Sequence, residues 1–410
     1  MSSPDSNGAT LRSLGLSVYV PTFLFAVGQG AVIPIVALAA RDEGASVALA
    51  GFIVALRGIG VLAFDIPAGW LISRFGEQRA MVGATGIVIL SLLGSAFAPG
   101  VWAFAAFTFL MGCGWSIWLL ARLSYVTDLM PVHLRGRALS TLGGINRVGN
   151  FVGPFLGAGV AVFAGLEGAY YVHLVTAALA CGLLIVLIRG ETAPPVSRSE
   201  HVQFTRIVRE NASVFLTAGV GVTAIGALRA TRQSVLPLWG DHIGLDSSTI
   251  SLVFGISMAM EMLLFYPAGS IMDKWGRKAV ALPCVSVMAL GMFLIPLTGG
   301  FGSLVVVGLL IGFGNGLGSG IVMTLGADFS PEVGRAQFLG AWRVCGDLGT
   351  AGGPVIAAAA TGLATLAAAS VTMGVIGAIG AMLMLFLMPE TLRRDPASPG
   401  PPADAGPAEA

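Results

Sequence analysis

Nine ionisable side chains lie within long apolar stretches of this sequence, where charge is otherwise rare. The acids are Asp65, Glu261 and Asp347, and the cations are Arg57, Arg122, Arg147, Arg229, Arg232 and Arg343. Charged groups in apolar surroundings are costly, so their presence indicates function. A carboxyl group in such a place can take up a proton, because a low dielectric favours its neutral form. A guanidinium without a partner can bind an anion.

Spacing along the chain distinguishes the three acids. Glu261 has no obvious neighbour of opposite charge on its own helix and is the first candidate for a protonation switch; the alternative is a structural ion pair with an arginine from another helix. Arg343 and Asp347 are four residues apart, share a helix face and are expected to pair. Asp65 is expected to be structural, paired with Arg122 or with an arginine of a loop. The candidates for coupling to protons are Asp65, Asp347, Glu261 and Arg343.

The arginines outnumber the acids by three in these stretches, which favours an anionic or electron-rich ligand. Arg229 and Arg232 could bind that ligand, act as a gate, or extend towards the outer surface. Aromatic residues at similar depth could line a cavity or simply pack between helices. The candidates for a cavity are Arg57, Arg147, Asn146, Asn150, Arg229, Arg232, Gln29, Trp115, Trp118 and Asn315.

The composition indicates the solvent in which these residues are held. Of 410 residues, 55% are hydrophobic and only 10% are charged, whereas soluble domains carry about 25% charged residues. The mean hydropathy is +0.86. We therefore expect lipid around the chain. No metal-ligand spacing or phosphate-binding loop is present in the sequence, so we expect no enzymatic activity, no metal and no cofactor.

About twelve apolar runs are long enough to cross a bilayer, which takes about 20 helical residues. The predicted spans are 16–39, 47–71, 79–98, 101–126, 138–164, 169–189, 211–238, 247–271, 278–298, 302–327, 337–361 and 364–388. The predicted fold is an all-α integral membrane protein with two six-helix bundles, 14–189 and 211–388. A polar tail (1–13), a polar linker (190–210) and a disordered tail (389–410) complete the chain.

The basic residues outside these spans are distributed very unevenly. Fifteen lysines and arginines fall in the tails and loops on one side, and only Arg41 falls on the other. Basic loops remain in the cytoplasm. The sequence therefore predicts a multi-pass protein of the plasma membrane, the inner membrane of a bacterial cell, with both termini cytoplasmic.

Several short patterns occur twice, 200 residues apart. Pro67-Ala68-Gly69 matches Pro267-Ala268-Gly269, and Gly153-Pro154 matches Gly353-Pro354. The first pattern opens a loop motif that we call the first loop motif (67–79) and the second loop motif (267–278). The repeat predicts two similar halves related by a pseudo-two-fold axis, with a ligand site between them.

The second loop motif, "GSIMDKWGRK", resembles the loop motif of the major facilitator superfamily, Gly-x-Leu-x-Asp-Arg-x-Gly-Arg-Lys. The resemblance extends over nearly the whole folded length. It implies a transporter that works by alternating access, with a small-molecule substrate, protons or another ion, and lipid as its partners. We expect a monomer that binds no nucleic acid.

The resemblance also implies that each loop motif holds one conformation closed on the cytoplasmic side. Ser73 replaces the motif's acid in the first copy, so we expect the first copy to be weaker; the alternative is a motif that only fixes topology. The residues of this predicted gate are Gly69, Ser73, Arg74, Gly76, Asp128, Arg135, Gly269, Asp273, Lys274, Gly276, Arg277, Lys278, Asp328 and Arg335.

The fifth span carries Gly149, Gly153, Pro154 and Gly157, which resemble the span-5 motif of the drug/proton antiporter, or efflux, branch. Thr108 stands where that branch has a span-4 arginine, so the resemblance does not extend to proton coupling through that residue. We expect export of a small drug-like molecule, with an anion favoured, coupled to proton influx. The alternatives are an uptake symporter or facilitator and a receptor that transports nothing.

Overall fold

The computed structural model describes residues 15–130, 132–187 and 204–392, without the side chains of residues 132, 133, 135, 136, 204 and 336. The predicted tail 1–13, most of the linker 190–210 and most of the tail 389–410 lie outside the described residues. The described part of the chain consists of helices and short connections and contains no strand.

Twelve long helices make up most of the described part of the chain. We number them α1 (Gly15–Val32), α2 (Val47–Phe75), α3 (Glu77–Ala96), α4 (Val101–Leu129), α5 (Val132–Ala164), α6 (Glu167–Leu187), α7 (Ala212–His242), α8 (Ser247–Trp275), α9 (Lys278–Leu297), α10 (Phe301–Phe329), α11 (Arg335–Leu363) and α12 (Leu366–Leu387). A short helix, Phe204–Glu210, precedes α7. All but α11 are long and apolar enough to cross a membrane. Helix α11 has the length, but Arg343 and Asp347 interrupt its apolar sequence.

Local sequence explains where the equivalent helices α2 and α8 begin and end. The Ser46 side chain accepts a hydrogen bond from Leu49 N at the start of α2, and Asp246 does the same for the first amides of α8. Such caps satisfy amides that have no helical partner. Both helices end at a glycine with positive φ, +82° at Gly76 and +105° at Gly276. Other residues rarely adopt this conformation, so glycine permits the reversal into α3 and α9.

Two helices predicted to be continuous are broken. The first ends at Val32 and resumes as Val36–Asp42, because Pro34 cannot continue the helical hydrogen bonds. Helix α10 is interrupted after Leu317 and resumes at Ile321, with Gly320 at φ +80°. Its counterpart α4 has no such break. The predicted spans 16–39 and 302–327 are therefore each two segments.

The two halves have the same internal pairing. In the first half, α1 packs on α5 and α6, α2 packs on α4, and α3 packs on α4 and α6. In the second half, α7 packs on α11 and α12, α8 packs on α10, and α9 packs on α10 and α12. This agreement confirms that the sequence repeat reflects a repeated six-helix unit.

The glycines of α5 allow close contacts with α1. A Cβ atom on Gly149 would lie 2.6 Å from Ala26 Cβ, and one on Gly153 would lie 2.4 Å from Val27 O. Real Cβ atoms do not approach other atoms so closely, so only glycine lets α5 pack this tightly on α1. The equivalent glycines of α11, Gly349 and Gly353, pack against α7 in the same way.

The halves meet along two pairs of helices, α2 with α11 and α5 with α8. We call the side that carries the two loop motifs the loop side. At the other side the halves are held together by direct contacts: Ser248 Oγ donates to Ala158 O at 3.2 Å, and Arg41 Nε lies 4.0 Å from Asp241 Oδ2. Among the described residues, no ion pair joins the halves at the level of the loop motifs.

Candidate functional site

A cavity of about 370 Å³ lies between the halves, and we call it the central cavity. Helices of both halves line it. Twelve of the residues singled out in the sequence lie in its wall: Gln29, Arg57, Trp115, Asn146, Arg147, Asn150, Arg229, Arg232, Glu261, Asn315, Arg343 and Asp347. Residues that are up to 318 positions apart in sequence are thus brought to one site.

Where α5 meets α8, one carboxylate is shared by two arginines. Glu261 Oε1 lies 3.3 Å from Arg147 Nη1, and Glu261 Oε2 lies 3.4 Å from Arg232 Nη2. Asn315 Nδ2 also donates to Oε2, at 2.5 Å. We call Arg147, Arg232 and Glu261 the basic contact. Its geometry corresponds to the alternative interpretation of Glu261, an ion pair with arginines from other helices.

Arg229 lies beside this contact. Its Nε donates to Asn315 Oδ1 at 2.5 Å, and its Nη2 donates to Gly318 O at 2.9 Å. Gly318 stands at the break in α10, so the guanidinium satisfies a carbonyl in the interrupted backbone. Arg229 and Arg232 both point into the protein and do not extend to the outer surface.

Where α2 meets α11, one arginine is shared by two carboxylates. Arg343 Nη2 lies 3.0 Å from Asp65 Oδ1, and Arg343 Nε lies 3.3 Å from Asp347 Oδ2. Ser116 Oγ donates to Asp65 Oδ1 at 2.6 Å. The two carboxylates are therefore close neighbours around one guanidinium. We call Asp65, Arg343 and Asp347 the acidic contact.

The predicted pairing of Arg343 with Asp347 is present, but the predicted partner of Asp65 is wrong. Asp65 lies level with Ser116, and Arg122 is six residues, or about 9 Å, further along α4. Arg122 instead packs 4.5 Å from the centre of the Trp118 ring.

An aromatic stack forms the wall of the first half. The Phe25 ring lies 4.3 Å from Trp118 and 5.7 Å from Trp115, in near-parallel orientation. Trp115 borders the central cavity, whereas Trp118 is fully buried behind it. Trp118 is therefore a packing residue, contrary to its prediction as part of the cavity.

A second, much smaller space of about 10 Å³ adjoins the stack, and we call it the side pocket. Gln29, Arg57 and Trp115 line both the side pocket and the central cavity. His173 also lines the side pocket, is 2% exposed, and has no hydrogen-bond partner for either ring nitrogen in the described part of the protein. Sequence reasoning missed His173, because a single histidine in an apolar run gives no pattern.

The two loop motifs differ in their bonds. In the second, Arg277 Nε binds Asp328 Oδ2 at 2.8 Å, while Asp273 is exposed and lies 3.8 Å from Arg277 Nη1. Glu390, which follows α12, accepts hydrogen bonds from Arg277 N and Lys278 N at 2.8 and 2.9 Å. It thereby caps the start of α9, a place where the helix dipole favours an anion. The sequence analysis did not identify Glu390.

In the first loop motif, Glu77 stands at the position equivalent to Arg277. Ser73 Oγ only donates to Trp70 O in its own helix, at 2.8 Å. Ser124 Oγ lies 3.3 Å from Glu77 Oε1 and 3.4 Å from Asp128 Oδ2. This motif makes no ion pair with residues whose side chains are described, and the Arg135 side chain is not among them. The predicted difference in strength between the two gates stays a prediction.

The sequence pattern of the Major Facilitator Superfamily matches residues 18–232 and 220–409. The chain belongs to the Major Facilitator Superfamily. It is thus a multi-pass membrane transporter of this superfamily, as the resemblance of the loop motif predicted. The duplicated match agrees with the two equivalent halves of the structure.

Curated relatives in the superfamily include one named as an efflux pump and one named for multidrug resistance. The "Multi-drug resistance efflux pump PmrA homolog" of Lactococcus lactis is 27% identical over 327 residues, which are 76% of this chain and 80% of that protein. The "Multidrug resistance protein MdtG" of Enterobacter lignolyticus is 28% identical over 170 residues, 40% of this chain and 41% of that protein.

Solved structures of the superfamily share the fold. A POT family transporter in complex with a thioalcohol-conjugated peptide superimposes with a TM-score of 0.77 at 12% identity, covering 91% of this chain and 95% of that one. A D-xylose-proton symporter superimposes with a TM-score of 0.72 at 19% identity, covering 92% and 98%. At such low identity these likenesses concern the fold alone.

Proposed function

We propose that this transporter exports small organic anions by alternating access, driven by protons that move in the opposite direction. The observation that carries the proposal is the charge of the central cavity. Among the described residues, five arginines and two carboxylates line it, so this part of its wall has a positive surplus. Its volume of about 370 Å³ lies in the range of cavities that bind small organic molecules.

The distribution of basic loops supports a cytoplasmic position for the loop side and for both termini. The halves are held together at the opposite side by the Ser248–Ala158 bond and the Arg41–Asp241 pair. In this orientation the structure corresponds to a transporter that is closed towards the outside. Rocking of the two halves would open the central cavity towards the outside.

Export rather than uptake is supported by two observations. A relative that overlaps 76% of this chain is named as an efflux pump. In addition, the span-5 glycines that resemble the efflux branch make the closest contacts between α5 and α1. Uptake by a symporter or facilitator is the alternative, and it differs from export in the direction of the proton gradient that drives accumulation.

The acidic contact is the better candidate for the proton site. Glu261 in the basic contact receives hydrogen bonds from three side chains, all of which favour its ionised form. Asp65 and Asp347 share a single arginine, so one negative charge is left without a counter-ion. Two carboxylates in one site disfavour double ionisation, and a proton resolves the excess. We propose that this proton is the coupled ion.

Everted membrane vesicles test the proposed function. Vesicles with an acid interior should accumulate the anionic dye carboxyfluorescein, and nigericin, which collapses the proton gradient, should abolish accumulation. Vesicles from cells without the protein are the control, and ethidium tests whether a cation is moved instead. Accumulation only in right-side-out vesicles with an acid exterior would indicate an uptake symporter. Equilibration that ignores the gradient would indicate a facilitator, and no movement of either dye would favour a receptor.

A further inference from the structure

Four of the five arginines in the central cavity already have partners. Arg147 and Arg232 bind Glu261. Arg343 lies between two aspartates. Arg229 donates to an amide oxygen and to a backbone carbonyl oxygen. These four guanidinium groups are therefore occupied by the protein itself, and an anionic ligand would have to compete for them.

Arg57 differs from the other four. No carboxylate, hydrogen-bond acceptor or aromatic ring among the described residues binds its guanidinium, although Arg57 borders both the central cavity and the side pocket. Arg57 is half-buried, and a cation that is partly withdrawn from water without a counter-ion is unfavourable. A bound anion would remove that cost, so Arg57 is the position where a negative ligand gains most.

The surface next to Arg57 is aromatic. Trp115 lines the same two spaces, and Phe25 and Trp118 stack behind it. The equivalent of Trp115 in the second half is Asn315, which is engaged with Glu261. The only stacked aromatic wall of the central cavity therefore stands beside its only free arginine, as far as the described residues extend. A planar aromatic ring fits such a wall, because aromatic pairs favour stacked arrangements.

The side pocket supplies further polar groups at the same place. Both ring nitrogens of His173 are buried without a partner, and a neutral imidazole carries one N–H donor. The ring packs closely on α1, since a Cβ on Gly28 would lie only 2.3 Å from His173 Cδ2. Gln29 borders the pocket as well. An acidic group bound to Arg57 could thus also accept hydrogen bonds from His173 and Gln29.

From this juxtaposition we infer that the substrate is an aromatic organic anion, whose acidic group binds Arg57 at the mouth of the side pocket and whose ring lies against Trp115. The inference rests on the proposed function, because it takes the central cavity as the substrate site. It adds the substrate's aromatic character, its orientation and the residue that recognises its charge.

Calorimetric binding to the purified protein in lipid nanodiscs tests the inference with four matched probes. The anion 2-naphthoate should bind. The alcohol 2-naphthylmethanol lacks the charge and should bind about 10- to 100-fold more weakly. The cation 2-naphthylmethylamine should not bind measurably, and the non-aromatic anion cyclohexanecarboxylate should bind about 3- to 10-fold more weakly than 2-naphthoate. Equal affinity for the acid, the alcohol and the amine, or no binding of 2-naphthoate, would overturn the inference.

Variants then assign the charge to one residue. Arg57→Gln should weaken 2-naphthoate binding about 10- to 100-fold while leaving 2-naphthylmethanol unaffected. Arg57→Lys keeps the charge and should recover part of the loss. The control Arg206→Gln removes an exposed arginine of the short helix before α7, where it pairs with Glu210, and should change neither affinity. Wild-type affinity for 2-naphthoate in Arg57→Gln would refute the role of Arg57. If that variant fails to fold, the wild-type probe series still tests the class of ligand, and Arg57→Lys still tests the residue.

Binding and transport separate this inference from the proposed function. A protein that binds 2-naphthoate through Arg57 but moves no anion in vesicles would refute export and leave the binding site standing. Gradient-driven accumulation of carboxyfluorescein with a wild-type KM in Arg57→Gln would do the reverse, because export would be supported while Arg57 would not recognise the anion.

Discussion

The two contacts that join the halves occupy equivalent places in the repeat and carry opposite excess charge. In the basic contact two arginines share Glu261, and in the acidic contact two aspartates share Arg343. Arg147 and Asp347 are the same position of the repeat, 200 residues apart. The duplicated backbone has thus been kept while the sign of one side chain has been reversed.

The difference between the contacts teaches which of them can respond to protons. A carboxylate held by two arginines is stabilised in its charged form, and losing that charge would leave two cations unpaired. A pair of carboxylates held by one arginine has one charge too many, which a proton can neutralise. The basic contact is therefore suited to hold the halves together, and the acidic contact is suited to change with proton binding.

The largest effect is expected for Glu261→Gln. Arg147 and the 3%-exposed Arg232 would both lose their counter-ion. Removing one partner of a buried ion pair costs about 3–5 kcal/mol, so we expect a loss of unfolding free energy near the upper part of that range. Unfolding titrations with a denaturing detergent measure it. A loss below about 1 kcal/mol, typical of exposed pairs, would show that the basic contact does not hold the halves.

Asp347→Asn should destabilise the protein less and change proton coupling more. Arg343 keeps Asp65 as its partner, so the expected loss of stability is about 1–3 kcal/mol. Infrared difference spectroscopy during an acid titration should show the carbonyl band of a protonated carboxyl group in the wild-type protein, and the variant should lack it. Accumulation of carboxyfluorescein in everted vesicles should no longer depend on the proton gradient.

The matched control for that experiment is Glu261→Gln, which should keep the infrared band. If the band disappears in Glu261→Gln and persists in Asp347→Asn, the assignment of the two contacts is reversed. Asp65→Asn offers an independent check, since it removes the other carboxylate of the same pair from the opposite half.

Ser116→Ala should have a smaller effect on the acidic contact. The Ser116 hydroxyl donates to Asp65 Oδ1 at 2.6 Å, and a hydrogen bond to a charged group contributes about 1.5 kcal/mol or somewhat more. We expect a loss of about that size in the unfolding titration. Ser257→Ala is the control, because the buried Ser257 hydroxyl has no partner among the described residues and its removal should not destabilise the protein.

The smallest effect concerns the loop motifs, where the halves differ again. Burial raises the pKa of Glu390, but hydrogen bonds from the backbone N–H groups of Leu392, Lys278, Arg277 and Thr391 outweigh burial and hold its pKa below the usual value. A depressed pKa in the folded state means that the stabilisation is present above the unfolded pKa of about 4.3 and is lost as the pH falls through the folded pKa.

Glu390→Gln should therefore lower stability slightly at neutral pH and have no effect in strong acid. Because Glu390 is exposed, we expect about 0.5 kcal/mol at pH 7. Unfolding titrations of both proteins at pH 7 and near pH 3 measure the difference. A difference that is as large at the acid pH as at pH 7 would mean that the carboxylate charge is not what caps α9.

The sequence was sufficient to predict the helices, the repeat and most of the residues in the central cavity. Apolar runs, basic loops and a fixed offset of 200 residues are local or periodic signals, and they carry over directly into structure. Ionisable residues within spans were informative for the same reason, because their cost restricts them to the interior of the bundle.

Relations between helices could not be predicted in this way. The partner of Asp65 depends on the relative height of α2, α4 and α11, and a shift of two turns decides between Arg122 and Arg343. Trp118 and Trp115 are three residues apart on α4, and only the packing of Phe25 shows which of them borders the cavity. Glu390 lies more than 110 residues from the amides that it caps, and no pattern connects them.

The break in α10 makes one half of the transporter mechanically different from the other. The two segments of α10 are joined near Gly318, whose carbonyl oxygen accepts a hydrogen bond from Arg229. The second segment, Ile321–Phe329, contains Asp328, which forms an ion pair with Arg277. A ligand or proton that displaces Arg229 would loosen this joint, and the second segment of α10 would transmit the change to the second loop motif. The unbroken α4 has no such joint. We therefore expect ligand binding in the central cavity to move the second loop motif before it moves the first.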